Sequence, residues 1–205
     1  MPPRRVGLLG GSFNPAHEGH RHVSLEALKR LDLDEVWWLV APQNPLKPPR
    51  GMAPFAKRFA AASRLADHPR IKVLDLEKRL GTRYTADTVA ALQRLFPRTR
   101  FVWLMGADNL AQIRHWDRWT DIFSRVPIAV FARPTYCLKG LAELAAKRYA
   151  RQRVAPAAAR RLAELAPPAW AFLPIRLDTS SATAIRSYRT PSRKAKGRRK
   201  QSKRR

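Results

Sequence analysis

Residues 10–20 are Gly10-Gly11-Ser12-Phe13-Asn14-Pro15-Ala16-His17-Glu18-Gly19-His20, a stretch in which two glycines are followed by two histidines three residues apart. It follows a short apolar run, Val6 to Leu9, and precedes a segment whose apolar residues recur at helical spacing. A strand is therefore predicted to enter a glycine turn, and a helix to begin close to two histidines. Small residues let a ligand approach the backbone, a helix N-terminus offers free N–H groups, and imidazoles can donate to phosphate oxygens. The stretch thus favours binding of a phosphate chain.

Better-known motifs do not fit this stretch. Gly7, Gly10 and Gly11 do not have the spacing of the dinucleotide fingerprint G-x-G-x-x-G, and no Gly-Lys-Ser/Thr follows as in a P-loop. The zinc-peptidase pattern H-E-x-x-H fails because Arg21 stands four residues after His17. Glycines after a first strand can also serve the turn alone, so a purely structural explanation stays open.

The same residues resemble a known family. They match the G-G-S-F-x-P-x-H-x-G-H signature of nucleotidylyltransferases, and the second signature of that family, I-S-x-T-x-I-R, has a counterpart in Ser180-Ser181-Ala182-Thr183-Ala184-Ile185-Arg186. Two motifs in the right order are harder to obtain by chance than one. The departures are Asn14, where many members have Asp, and Ser180 and Ala182, which replace Ile and a second Ser.

Apolar runs at 35–41, 71–76, 100–106, 127–132 and 169–174 predict further strands, and helical patterns lie between them. We predict an α/β fold with a doubly wound parallel sheet, the Rossmann-like nucleotidyltransferase fold, as a single domain over residues 1–188. Trp116 and Trp119 are expected to share one helix face, and residues 138–166 to form two helices broken near Pro156.

Charge sets the C-terminal segment apart. The formal net charge is +26, and from Arg189 onward the chain carries ten Lys or Arg and no acid, which leaves +16 for residues 1–188. Residues 189–205 are predicted to be a disordered basic tail that either touches nucleic acid non-specifically or only adds solubility. The lone Cys137 excludes a disulfide framework. No apolar run approaches the roughly 20 residues of a membrane span, so we expect a cytoplasmic protein without membrane contact.

The resemblance is closest to nicotinate-nucleotide adenylyltransferases, and it assigns roles on the ATP side. His20 would contact the α-phosphate, His17 would help along the triphosphate, and Arg186 would hold the leaving phosphates. Asp108, which follows a predicted strand end, would bind the ribose; a plain helix N-cap is the alternative. The ATP-binding set implied by the resemblance is Gly10, Gly11, Ser12, Phe13, Asp108, Ser181, Thr183 and Arg186.

On the side of the nicotinate mononucleotide, the resemblance implies Lys47 and Arg133 for the phosphate, Tyr84 and Thr85 for the pyridine carboxylate, and Trp116 for stacking on the ring. Without the resemblance, Thr85 would be explained as an N-cap and both tryptophans as core residues.

The reaction implied is adenylyl transfer from ATP to nicotinate mononucleotide, with Mg²⁺ held mainly by the ATP phosphates. Pantetheine-phosphate adenylyltransferases and cytidylyltransferases would share both signatures. A basic RNA-binding protein on a nucleotide-binding scaffold is the rival from another class.

Overall fold

The computed structural model describes residues 2–43, 50–133 and 141–176. Within these ranges seven parallel strands form one sheet in the spatial order β3-β2-β1-β4-β5-β7-β6. The predicted doubly wound parallel sheet is confirmed. The strands are β1 Arg4–Gly11, β2 Glu35–Val40, β3 Ile71–Leu74, β4 Thr99–Gly106, β5 Ile128–Phe131, β6 Arg153–Val154 and β7 Trp170–Leu173.

Helices cover both faces of the sheet because successive strand residues point to opposite sides and both sides are apolar. Trp37 belongs to the core on one face and Trp38 to the core on the other. The helices are α1 Glu18–Arg30, α2 Phe55–Leu65, α3 Leu76–Leu80, α4 Thr85–Leu95, α5 Ala107–Gln112, α6 Trp119–Arg125 and α7 Leu144–Arg148, with 3-10 helices at Ile113–His115, Ala150–Gln152 and Pro156–Glu164. No helix in the described ranges is both long and apolar enough to cross a bilayer.

The order in which the chain adds strands to the sheet indicates where a ligand would bind. From β1 the chain adds β2 and β3 on one side, and it then returns to add β4 and β5 on the other. The carboxyl ends of β1 and β4 therefore flank a crevice, the place where open α/β sheets bind ligands. Gly10 and Gly11 end β1 and Gly106 ends β4, so the glycine-rich stretch opens onto this crevice.

Two sequence predictions are wrong. Trp116 and Trp119 do not share a helix face, because Arg118 between them has φ +45° and α6 begins only at Trp119. The described part of 138–166 does not form two α-helices. It contains the short helix α7, a 3-10 helix at Ala150–Gln152, the strand β6 and a second 3-10 helix that begins at Pro156.

Candidate active site

The turn after β1 is shaped by close contacts beneath the backbone. A methyl group at Gly10 would lie 2.6 Å from the Trp103 ring of the neighbouring strand β4, so only glycine fits there. Phe13 has φ +46°, a left-handed conformation that is strained for an aromatic residue, and its side chain is buried. The burial of the Phe13 ring thus holds the turn in a conformation that the backbone alone would not choose.

His17 and His20 lie together at the start of α1. Their ring centroids are 3.9 Å apart, and His17 is the N-cap residue of the helix. The His17 backbone N–H donates to His20 Nδ1 at 3.2 Å. The His17 carbonyl also lies 3.3 Å from His20 Nδ1, but it already accepts the His20 backbone N–H at 2.9 Å. Because a backbone N–H can only donate, Nδ1 of His20 is the acceptor of the His17 N–H, and we assign the proton of a neutral ring to Nε2.

An aromatic stack supports His20 from the core side. The rings of Phe13, His20 and Trp38 form a cluster in which Phe13 lies 4.7 Å from His20 and 5.1 Å from Trp38, and His20 lies 6.0 Å from Trp38, measured between centroids. The Trp38 indole N–H donates to Ser24 Oγ at 2.7 Å, and the Ser24 hydroxyl donates to the His20 carbonyl at 2.8 Å. Ring and backbone of His20 are both held, so its Nε2–H is a fixed donor rather than a mobile one.

Asp108 and Arg133 reach the same place from the ends of β4 and β5. Arg133 Nε lies 3.8 Å from Asp108 Oδ1. A methyl group at Gly106 would overlap Asp108 Oδ1 and lie 3.1 Å from Arg133, and one at Gly19 would lie 2.9 Å from Arg133 Nη1 and 3.0 Å from the His17 ring. The structure therefore brings His17, Asp108 and Arg133 together beside two backbone segments that lack side chains.

The predicted pyridine-side residues lie next to this cluster. Trp116 is half-buried and meets Trp103 edge-on, with ring centroids 6.3 Å apart, and Trp103 also lies beneath Gly10. Tyr84 rather than Thr85 is the N-cap of α4, which corrects the predicted cap by one residue. The first turn of the helix closes on Tyr84, whose carbonyl accepts the Thr88 backbone N–H at 3.1 Å and the Thr88 hydroxyl at 3.2 Å.

An ion pair links the two pyridine-side segments. The Arg118 guanidinium donates to Asp87 in the first turn of α4 at 2.7 Å and to Asp117 at 2.7 Å. The pair joins the Tyr84 helix start to the Trp116 segment, although its exposure limits what it adds to stability.

Four predicted site residues lie outside the described residues: Lys47, Ser181, Thr183 and Arg186. Their roles therefore stay predictions.

Arg58 of α2 was not among the predicted site residues, but it is buried below the site. Its guanidinium donates to the carbonyls of Ser12, Ala41, Pro42 and Ala53. Burial lowers the pKa of Arg58 from its ordinary value. A signal was present in the sequence, because Arg58 stands three residues after Phe55 and four before Ala62, which places it on the apolar face of α2.

Known proteins resemble this chain in sequence and in fold. The cytidylyltransferase-like family model matches residues 8–187. A protein of Cereibacter sphaeroides (strain ATCC 17025 / ATH 2.4.3) named "Probable nicotinate-nucleotide adenylyltransferase" is 58% identical over 182 residues, covering 89% of this chain and 96% of the relative. One of the same name from Parvibaculum lavamentivorans is 56% identical over 185 residues, covering 90% of this chain and 92% of the relative.

Solved structures show the same fold at low identity. The Plasmodium falciparum nicotinic acid mononucleotide adenylyltransferase complexed with NaAD superposes with a TM-score of 0.70 at 16% identity, covering 92% of this chain and 85% of that one. The same enzyme complexed with APC gives a TM-score of 0.66, covering 90% of this chain and 83% of that one. The resemblance found in the two sequence signatures is confirmed by the curated relatives, and the chain belongs to the nicotinate-nucleotide adenylyltransferase family.

Proposed function

We propose that this protein transfers the adenylyl group of ATP to nicotinate mononucleotide, giving deamido-NAD and pyrophosphate. The observation that carries the proposal is the fixed pair His17 and His20 at the switch point of the sheet, beside Asp108 and Arg133. Family membership supports the choice of substrates. The proposal includes a role in NAD biosynthesis and a cytoplasmic location, where ATP is available to a biosynthetic enzyme.

The chemistry needs no strong base. An oxygen of the mononucleotide phosphate, already anionic at neutral pH, bonds to the α-phosphorus of ATP, and the bond from that phosphorus to the bridging oxygen of the β-phosphate breaks. Pyrophosphate leaves with the electron pair. Negative charge grows on the oxygens around the α-phosphorus, so positioned donors lower the barrier more than a proton acceptor would.

The proposal gives each residue one task. His20 Nε2–H donates to the α-phosphate as charge builds there, and His17 assists along the triphosphate. Gly10, Gly11, Ser12 and Phe13 present backbone to the phosphates, and Asp108 accepts from a ribose hydroxyl.

The second substrate has its own set. Arg133 and Lys47 meet the mononucleotide phosphate, Tyr84 and Thr85 read the pyridine carboxylate, and Trp116 stacks on the ring. The predicted triphosphate ligands at the C-terminal signature complete the site: Ser181, Thr183 and Arg186.

Mg²⁺ is part of the proposal as a substrate-borne ion. No cluster of three or more His, Cys, Asp or Glu occurs in the described ranges, and Asp108, the carboxylate of the site, already faces Arg133. Such a donor set does not build a protein cage, but it fits an ion held by phosphate oxygens and water. When bound, the ion neutralises charge on the leaving phosphates.

The test uses the full chain with ATP, Mg²⁺ and nicotinate mononucleotide, with deamido-NAD separated by chromatography and pyrophosphate measured in parallel. Equal amounts of the two products support the proposal. Parallel reactions with nicotinamide mononucleotide, and with CTP or pantetheine phosphate, identify the substrate. Turnover only with one of these alternatives, or with none, would reject the proposed reaction.

A further inference from the structure

Arg58 makes an unusual set of contacts for a buried arginine. Its Nε donates to the Ala53 carbonyl at 2.9 Å, Nη1 to Ser12 at 2.6 Å and to Ala41 at 2.8 Å, and Nη2 to Pro42 at 2.7 Å. Arg58 is 3% exposed. Buried arginines are usually paired with an acid, yet no ion pair of Arg58 occurs in the described ranges. Within the described residues the cation is therefore held by carbonyl dipoles, with the Phe55 ring centroid 5.5 Å from its Cζ.

The four carbonyls belong to three backbone segments at the carboxyl edge of the sheet. Ser12 lies in the turn after β1, Ala41 and Pro42 follow β2, and Ala53 precedes α2. Asn14 adds to the same junction, because its amide donates to the Gly51 carbonyl at 3.0 Å and accepts the Ala53 N–H at 3.2 Å. An aspartate at position 14 could accept but not donate, so this chain uses its departure from the family signature to hold the junction.

Two contacts of Arg58 bear on the N–H groups of the turn. The contact with Ser12 fixes the direction of the Phe13 N–H, and the contact with Ala41 supports the residue whose N–H holds the Gly11 carbonyl and so sets the Ser12 N–H. In a trans peptide the C=O and the following N–H point in opposite directions. The Gly11 carbonyl accepts the Ala41 N–H at 2.9 Å and the Ser12 carbonyl accepts from Arg58. The N–H of Ser12 therefore faces away from β2, toward the crevice, and the N–H of Phe13 faces away from the guanidinium.

The contact with Ser12 also removes two obstacles to anion binding. A carbonyl oxygen directed at a phosphate would repel it, and the Ser12 carbonyl is instead occupied by a cation. Phe13, at φ +46°, would relax if the preceding peptide could rotate. Arg58 holds that peptide while the His20 and Trp38 rings hold the Phe13 side chain.

We propose that Arg58 is a positioning residue for triphosphate binding, which acts by turning the Ser12 and Phe13 N–H groups toward the phosphates without touching the substrate. The inference rests on the proposed function for its substrate. Arg58 does this because a planar guanidinium serves four carbonyls at once, whereas the three N–H groups of a lysine diverge from one nitrogen and cannot reach all four.

The test compares Arg58→Lys with Arg64→Lys, an exposed arginine on the same helix that controls for the change of residue type. Binding of an ATP analogue with a methylene group between the α- and β-phosphorus is measured by calorimetry on protein shown to be folded by circular dichroism. Arg58→Lys is expected to weaken binding about 30-fold, the equivalent of two lost hydrogen bonds. In the enzyme assay the KM for ATP rises more than the KM for nicotinate mononucleotide.

A purely structural role would lower the melting temperature but leave the affinity of the folded variant unchanged, and that result overturns the inference. If the wild type binds the analogue but forms no deamido-NAD, the proposed function fails while the binding comparison still decides the role of Arg58.

A second measurement needs only the wild type and covers the case in which Arg58→Lys does not fold. In ¹⁵N-labelled protein titrated with inorganic tripolyphosphate, the Ser12 and Phe13 amide resonances should shift more than those of α4. Unchanged Ser12 and Phe13 resonances under conditions where tripolyphosphate binds would overturn the inference.

Discussion

Replacing His20 by asparagine separates two tasks that this residue performs. The ring supplies a helix-capping acceptor at Nδ1 and, in the proposed reaction, a donor at Nε2. Asparagine carries its Oδ1 on Cγ, as histidine carries Nδ1, so the variant keeps the acceptor for the His17 N–H. Its amide nitrogen is also bonded to Cγ and does not extend to the position of Nε2, so the donor at that position is lost. Alanine at the same position loses both.

The structure sets the expected magnitudes. Loss of the ring contacts with His17 and Phe13 should cost about 1 kcal/mol of the free energy of unfolding in either variant. Loss of the cap should cost His20→Ala about 1 kcal/mol more. A missing donor to the transition state should lower kcat by about 10²- to 10³-fold in both.

The assay is steady-state formation of deamido-NAD at saturating ATP and nicotinate mononucleotide, combined with urea unfolding of each variant. We expect His20→Asn to have a higher free energy of unfolding than His20→Ala, and both variants to have the same low kcat. A kcat for His20→Asn within about threefold of the wild type would refute the assigned donor, because that change is worth well under 1 kcal/mol.

Three further changes have definite expected outcomes. Burial raises the pKa of Glu77 to about 7, above the ordinary 4.5, so the folded state binds the proton more tightly than the unfolded state does. The free energy of unfolding should therefore fall by about 3 kcal/mol as the pH rises from 4.5 through 7. Glu77→Gln should abolish that loss in urea unfolding at pH 5 and pH 8, and an identical pH dependence in both proteins would argue against it. Gly106→Ala places a methyl group on Asp108 Oδ1 and against Arg133, so kcat/KM for ATP should fall about tenfold with little change in melting temperature. An unchanged kcat/KM would show that the two side chains are not needed in these positions. Truncation after Tyr188 should leave kcat/KM within about twofold of the wild type, since the family model ends at residue 187. The same truncation should weaken any salt-dependent RNA binding. A large loss of activity would show that the catalytic domain extends beyond residue 188.

The fold was predictable because its signals are local. Apolar runs such as Glu35–Val40 mark strands buried on both faces, and the glycine stretch marks the first junction with a helix. Where the structure differs, a non-local cause decides. Arg118 adopts a left-handed conformation beside its contacts with Asp87 and Asp117, and this breaks the helix face predicted for Trp116 and Trp119.

The sequence predicted which residues lie together at the candidate site, but their roles stay predictions, and the residue that supports the site was not predicted. The first signature contains His17 and His20, the family resemblance adds Asp108 and Arg133, and the structure brings these four to one edge of the sheet. Arg58 could not be assigned its contacts from sequence, because its partners are backbone carbonyls whose positions depend on three separate segments. A residue pattern predicts side-chain chemistry, whereas the orientation of peptide groups emerges only from the assembled fold.

The most direct test of adenylyl transfer measures which phosphorus atom of ATP enters the product. Parallel reactions with ATP labelled at the α- or the γ-phosphorus, each with nicotinate mononucleotide, show which part of ATP is transferred. We expect the label of the α-phosphorus to appear in deamido-NAD and the label of the γ-phosphorus to appear in pyrophosphate. Label from the γ-position in the nucleotide product, or ATP consumed without any labelled dinucleotide, would contradict adenylyl transfer at this site.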